Sequence, residues 1–178
     1  MATIISHPSI ALGFFPWFKI IRKSKLILFT GMFLTILPDL DVIAFRLGIP
    51  YEHMFGHRGF SHSLFFAGTF SVVVSALIFK KTKTGFLTIW IYLFVCMVSH
   101  GLIDALTNGG LGIAFFAPFS NERYFFPFHL IEVSPLNIKR FMDGRGLTVL
   151  KSELLLVWLP SFSILMTGYI FNNKQRSK

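Results

Sequence analysis

The chain has 178 residues, of which 53% are hydrophobic and only 14% charged, whereas about 25% charged is usual for a soluble domain. That length suits one domain, 1–178, and the composition excludes a water-soluble globule in favour of an integral membrane protein. The formal net charge of +9 comes from Lys and Arg placed between apolar stretches, so it reads as membrane topology rather than a nucleic-acid surface.

The first apolar stretch covers 4–21 and holds Pro8 and Pro16. Pro8 suits the first position of a helix with His7 as its cap. The stretch is short enough either to span thinly or to re-enter. No Lys or Arg precedes it, so a cleaved secretory signal is not expected. The second stretch, 26–45, closes on Pro38-Asp39-Leu40-Asp41. The third, 61–79, is entered through His57-Arg58-Gly59-Phe60-Ser61-His62. The fourth, 85–106, is interrupted by His100 and Asp104 and contains the single cysteine, Cys96, which excludes an intramolecular disulfide. A long connection follows. Its part from 111 to 130 is aromatic and broken by Pro118 and Pro127, as expected of an interfacial lid rather than a span. The fifth stretch covers 152–171. The expected fold is an all-α polytopic bundle of about five transmembrane or re-entrant helices, with a long outer loop between the last two.

Basic clusters lie between stretches one and two (Lys19, Arg22, Lys23, Lys25), between three and four (Lys80, Lys81, Lys83) and after five (Lys174, Arg176, Lys178). With five spans all three fall on one side, which the positive-inside rule makes cytoplasmic. The N-terminus is then expected outside and the C-terminus in the cytoplasm. The same topology brings His7, Asp39, Asp41, His57, His62, His100 and Asp104 to one outer membrane depth. Ionisable groups at such depth are costly, about 2.5–3.5 kcal/mol each on insertion scales, and mark function by default.

The residue types are those of metal sites. His100 and Asp104, four apart, share one helix face; they suit either two ligands of one metal or a buried hydrogen bond. Asp39 and Asp41 cannot share a regular helix face, but Pro38 breaks the helix and frees both to turn one way; the competing reading is a solvated helix end. Gly59 permits a tight turn that sets His62 into the third helix. His57 suits either a ligand or a loop residue, and His7 a ligand or an interfacial cap. Arg58 suits a phosphate or a carboxylate, and Arg123 and Arg140 an anionic headgroup or a substrate phosphate. Glu52, His53, His129 and Glu132 read as surface residues, and Ser61 beside His62 is a weak nucleophile candidate. One shared metal would satisfy several of these groups at once. With seven candidates, either two metals or one metal and a general base would use them best.

These motifs, in this order, resemble the bacterial membrane-bound metal-dependent hydrolases related to a LexA-regulated inner-membrane protein (YdjM-like). The resemblance rests on His7, on Pro38-Asp39-Leu40-Asp41, on the element from His57 to Ser63, on Ser99-His100-x-x-x-Asp104, on Pro-Phe-Ser-Asn-Glu-Arg-Tyr at 118–124 and on Glu132-Val133-Ser134-Pro135-Leu136. It implies a metal-dependent hydrolase of the inner membrane and little about its substrate. The expected metal set is His7, Asp39, Asp41, His57, His62, His100 and Asp104, with Asp39, Asp41, His62 and Asp104 as the acid–base candidates. The expected metal is divalent, zinc before manganese, and the expected partners are membrane lipids and a lipid or lipid-linked phosphoester, with no nucleic acid. Two rivals stand beside this reading. Intramembrane Asp and His also line proton or ion pathways, and a bound metal can be structural in a non-catalytic protein.

Overall fold

A computed structural model describes residues 1–18 and 24–174, and among them the regular structure is helical, with two isolated β-bridges and no strand. The far end of the first expected segment, with Lys19, Arg22 and Lys23, lies outside the described residues, as do Arg176 and Lys178.

Helix α1 (His7–Phe14) carries Pro8 in its first turn and continues as a 3₁₀ turn to Trp17. A proline there gives up an N–H that has no partner in any helix. This helical part measures about 17 Å at 1.5–2 Å per residue, roughly half the thickness of a bilayer core. Ser24 caps α2 (Lys25–Leu34) by accepting from the Ile27 N–H. Pro38 then tightens the chain into a 3₁₀ turn, Leu37–Val42, before the short α3 (Ile43–Arg46). Ser63 caps α4 (Leu64–Ile78), and α5 (Phe86–Ala105) is a continuous helix. After the outer loop come α6 (Ile138–Arg140), α7 (Gly146–Glu153), a π-turn at Leu154–Trp158 and α8 (Leu159–Lys174). Gly144, at φ 102°, separates α6 from α7. The last helical run thus begins at Gly146, earlier than the apolar stretch at 152, because the turns of α7 are too polar to register as part of a span.

Among the described residues, four helical stretches are long and apolar enough to cross a membrane: Lys25–Arg46, Leu64–Lys81, Phe86–Ala105 and Ile138–Lys174. With the shorter α1 they make up the expected bundle of about five helices. Outward faces expose large apolar side chains such as Phe29, Phe33, Val73, Leu77, Leu155 and Phe162, a surface suited to lipid rather than water.

The bundle closes through small residues, as membrane helices do. α4 turns Ala67, Ser71 and Ser75 inward as it packs on α5. Gly31 of α2 lies against the ring of Tyr92, whose hydroxyl donates to the Ala11 carbonyl at 3.0 Å. Gly13 of α1 faces the Ser161 carbonyl of α8, and a Cβ there would come within 2.8 Å of that oxygen. At the other end of the same contact Asn172 donates to the Pro16 carbonyl at 2.7 Å, and Trp17 to that of Ile164 at 2.9 Å.

Four chain passages converge on one end of this bundle: the start of α1, the turn after α2, the turn before α4 and the last turns of α5. The long loop between α5 and α6 folds back on them. Phe115 accepts from the Leu64 N–H at 3.0 Å, and Ala105 from the Phe126 N–H at 3.1 Å. Replacing Gly13 with Val should push α8 off α1 and cost about 1–3 kcal/mol, the usual range for overpacking. Thermal unfolding in detergent would register it as a lowered midpoint.

Candidate metal centre

His100 and Asp104 lie on one buried face of the last turns of α5, both 0% exposed. Asp39 comes to them from the Pro38 turn and His62 from the turn preceding α4. Ligand atoms of these four residues all lie within 4.8 Å of one another.

Hydrogen bonds fix the tautomers. His100 Nδ1 lies 2.7 Å from the Thr35 carbonyl oxygen. A carbonyl only accepts, so Nδ1 carries the proton and Nε2 of the neutral ring is left with a free lone pair. His62 Nδ1 lies 3.1 Å from Asp41 Oδ2 and 3.0 Å from Ser61 Oγ, while Ser61 itself donates to Asp41 Oδ2 at 2.5 Å. The His62 proton therefore also belongs on Nδ1, and its Nε2 points to the other side. The two Nε2 atoms face each other at 3.0 Å. Two nitrogens at that distance need a shared proton or a metal ion between them. Asp39 Oδ1 stands 3.3 Å from His100 Nε2 and 3.8 Å from His62 Nε2. Among the described residues neither Asp39 oxygen has a hydrogen-bond partner, although the residue is only 5% exposed. Two ligands at zinc's 2.0–2.1 Å bond length in tetrahedral geometry sit about 3.3 Å apart. The spacing of these three donors and their unspent lone pairs fit a divalent metal.

Asp104 and His7 complete the inner group. The Ala2 N–H donates to Asp104 Oδ1 at 2.8 Å, and Arg58 Nε approaches Oδ2 at 3.2 Å. The His7 ring stacks on His100 with centroids 4.0 Å apart. Its Nε2 is 3.7 Å from Asp104 Oδ1 and 3.9 Å from Asp39 Oδ2, and neither ring nitrogen has a hydrogen-bond partner. His7 is thus oriented toward both carboxylates without being spent on either.

Asp41 and His57 sit one layer out. Asp41 Oδ1 meets His57 Nδ1 at 2.6 Å, and Oδ2 takes the Arg58 N–H at 3.0 Å in addition to Ser61 and His62. Its carboxylate is fully used in holding the 57–62 turn. The Arg58 backbone is left-handed, φ 63°, a conformation that a non-glycine residue adopts at a cost; the Asp41 bond to its N–H helps hold it there. Ser61 is part of the same bridge, behind His62 and away from its Nε2.

The arginines are committed inward. Arg58 is 0% exposed, and its guanidinium bonds the Gly109 carbonyl at 2.7 Å and Thr107 Oγ1 at 3.0 Å as well as approaching Asp104. Arg123 ties down the 51–57 loop through the carbonyls of His57, Tyr51 and His53. The terminal N–H groups of both arginines are spent on the protein itself, which favours a bracing role over a substrate phosphate, and Arg58 meets the carboxylate of Asp104. Arg140 is exposed on α6. Burial raises the pKa of the Tyr51 phenol, which stays neutral beside His57. His53, Glu52 and His129 are exposed, as expected of surface residues.

Three participants carry no sequence signature of their own: the Thr35 carbonyl, the Ala2 N–H and Thr107. A fourth did carry one. Glu153 is a carboxylate inside the apolar stretch 152–171, 0% exposed, and it accepts from Ser6 Oγ at 2.6 Å and from the Thr3 N–H and hydroxyl. It anchors the residues that lead into His7.

The arrangement defines a polytopic helical membrane protein with a buried His/Asp cluster able to hold a metal. The chain matches the YdjM inner membrane protein family over residues 1–176 and belongs to it. It is 37% identical over 167 residues to the inner membrane protein YbcI of Escherichia coli (strain K12), covering 93% of this chain and 95% of that one. No solved structure matches it. Family and helices together make it a multi-pass protein of the inner membrane.

Removing the Arg58 guanidinium takes away one of the two positive groups beside the buried Asp104, the other being the Met1 ammonium at 3.9 Å. Arg58→Ala should therefore cost about 3–5 kcal/mol, the range for breaking a buried pair from one side, measured as loss of unfolding free energy in detergent.

Proposed function

We propose that the chain is a metal-dependent hydrolase whose centre lies at the outer end of the bundle and acts on an ester or phosphoester of a lipid or lipid-linked substrate. The observation that carries this reading is the pair of opposed imidazole Nε2 atoms with the unpartnered Asp39 carboxylate beside them. His62, His100 and Asp39 would hold the ion, zinc being the best match to two imidazoles and a carboxylate. Asp104 and His7 flank it as a fourth ligand and a proton acceptor, or as the start of a second site. A divalent ion so held would lower the pKa of a bound water to about 7 and so would supply a nucleophile at neutral pH. His7 has the free nitrogen needed to take or return a proton. Asp41 and the Thr35 carbonyl act through the imidazoles, fixing their tautomers and orientation. His57 in turn holds Asp41.

Beneath the cluster the interior is packed with Leu34, Leu93, Cys96 and Met97. This apolar floor favours a site open at one end over an ion pathway across the membrane.

Metal analysis of detergent-purified protein is the first test. Wild type should retain stoichiometric zinc or manganese after desalting, while His62→Ala, His100→Ala and Asp39→Ala should lose it. Asp41→Asn should retain binding with affinity weakened about 10–100-fold, the usual consequence of disturbing a ligand's support. A wild-type protein that takes up no divalent ion on reconstitution would sink the proposal. Hydrolysis of phospholipid and lipid-linked phosphate panels by the metal-loaded protein, lost in Asp104→Ala, is the expected activity result.

The proposed orientation has the N-terminus outside and the C-terminus cytoplasmic, on the strength of the Lys80–Lys81–Lys83 cluster. A reporter that fluoresces only in the cytoplasm should light up when fused after Lys178. Fluorescence from a fusion in the loop around Asn121 instead would reverse the topology.

A further inference from the structure

A cavity of about 440 Å³ opens beside the cluster. One wall is the N-terminal lead, including Thr3 and Ile5; the second is the Pro38 turn, with Asp39 and Val42; the third is the return of the outer loop, with Leu136 and Phe141. Among the described residues of the lining Asp39 alone has an ionisable side chain, and Met1, whose ammonium lies 3.9 Å from Asp104 Oδ2, lines the same end; the two Asp39 carboxylate oxygens lie just behind the lining, buried and without a hydrogen-bond partner. The rest of the lining is almost wholly apolar. At the rim, Ile4 is 50% exposed, Leu40 57%, Leu136 57% and Ile138 80%. A polar end at Asp39 and an apolar body leading to a membrane-facing rim is the form of an amphiphile. A second cavity, about 210 Å³ between α1, α5 and α8, has no ionisable side chain in its lining and gives a ligand nothing to orient on.

We infer that the larger cavity holds a hydrocarbon chain of the substrate, so that the substrate is a membrane amphiphile entering sideways from the leaflet, with its ester group brought to Asp39. A volume in this range matches sites that enclose most of a small ligand. The inference rests on the hydrolase reading for the word substrate, but the chain-binding site can be tested without turnover.

The test uses the full chain reconstituted in vesicles of phosphatidylethanolamine and phosphatidylglycerol with a trace of phosphatidylglycerol bearing a diazirine near its acyl-chain end. After illumination and digestion, adducts should fall on Ile5, Val42, Leu136 and Phe141 several-fold more often than on Phe29 and Leu77, which belong to the general lipid-facing surface. Val42→Trp and Leu136→Trp should each fill the cavity and suppress those adducts several-fold, with metal content equal to wild type. Leu136 is half-exposed on a loop, so its variant remains informative if Val42→Trp fails to fold. Labelling of the cavity no stronger than of Phe29 and Leu77, or labelling unaffected by Leu136→Trp, would overturn the inference. Selective cavity labelling in a protein that binds no metal would uphold the chain site and reject the catalytic reading. Stoichiometric metal without selective labelling would do the reverse.

Discussion

Everything at the end of this bundle where the His and Asp residues gather depends on compensating buried charge. Asp39 and Asp104 are carboxylates withdrawn from water at the ends of helices that belong in a bilayer. In such surroundings an isolated ionised group costs several kcal/mol. Each must be met by a positive centre or by hydrogen bonds. Asp104 is met by Arg58 and the Ala2 N–H. Asp39 has imidazoles around it but no hydrogen bond to either oxygen. Asp104 has one hydrogen-bonded oxygen, Oδ1, and one, Oδ2, that faces Arg58 and the Met1 ammonium without a hydrogen bond, while both Asp39 oxygens are unused acceptors near His7, His62 and His100. The unused oxygens of both carboxylates are the ones available to a ligand.

Bracing groups are as numerous as candidate ligands, which follows from where the donors come from. Four passages of chain supply them, three of which are turns or helix starts rather than helix interiors. A side chain on a turn is less precisely placed than one on a rigid element. Asp41 compensates for this: one carboxylate joins His57, the Arg58 N–H, Ser61 and His62. Arg123 ties the same loop from its outer side, and Glu153 secures the lead into His7. The aromatic outer loop belongs to this support as well, since Ile113 and Phe115 lie against Gly101 of α5, where any larger residue would crowd them.

Charged residues inside apolar stretches were the legible signal, and the structure shows why it worked for some residues and not others. Asp39, Asp41, His62, His100 and Asp104 stood out because ionisable groups at membrane depth are costly, and that signal does not separate Asp41 from the four whose ligand atoms converge. The same signal was present for Glu153, a lone acid in the last stretch. It was obscured by its place at that stretch's start, where a polar residue reads as a cap. Arg58 and Arg123 were legible as basic groups but not as internal braces, since an arginine's partners here are carbonyls of distant residues. Thr35 and Ala2 act through backbone atoms, which every residue carries and no pattern distinguishes.

By itself the sequence determined the membrane class, the approximate helices and the set of His and Asp residues that lie near one depth. Hydropathy, proline breaks and the positions of Lys and Arg are local or additive properties, so they survive in one dimension. The tertiary structure decided which of seven similar residues face one another and which stand behind them. It also decided that His62 and His100 oppose their free nitrogens, and that an apolar cavity meets Asp39. Those outcomes depend on tautomers and on contacts across 38 to 102 positions of chain, and spacing along the sequence carries no information about either.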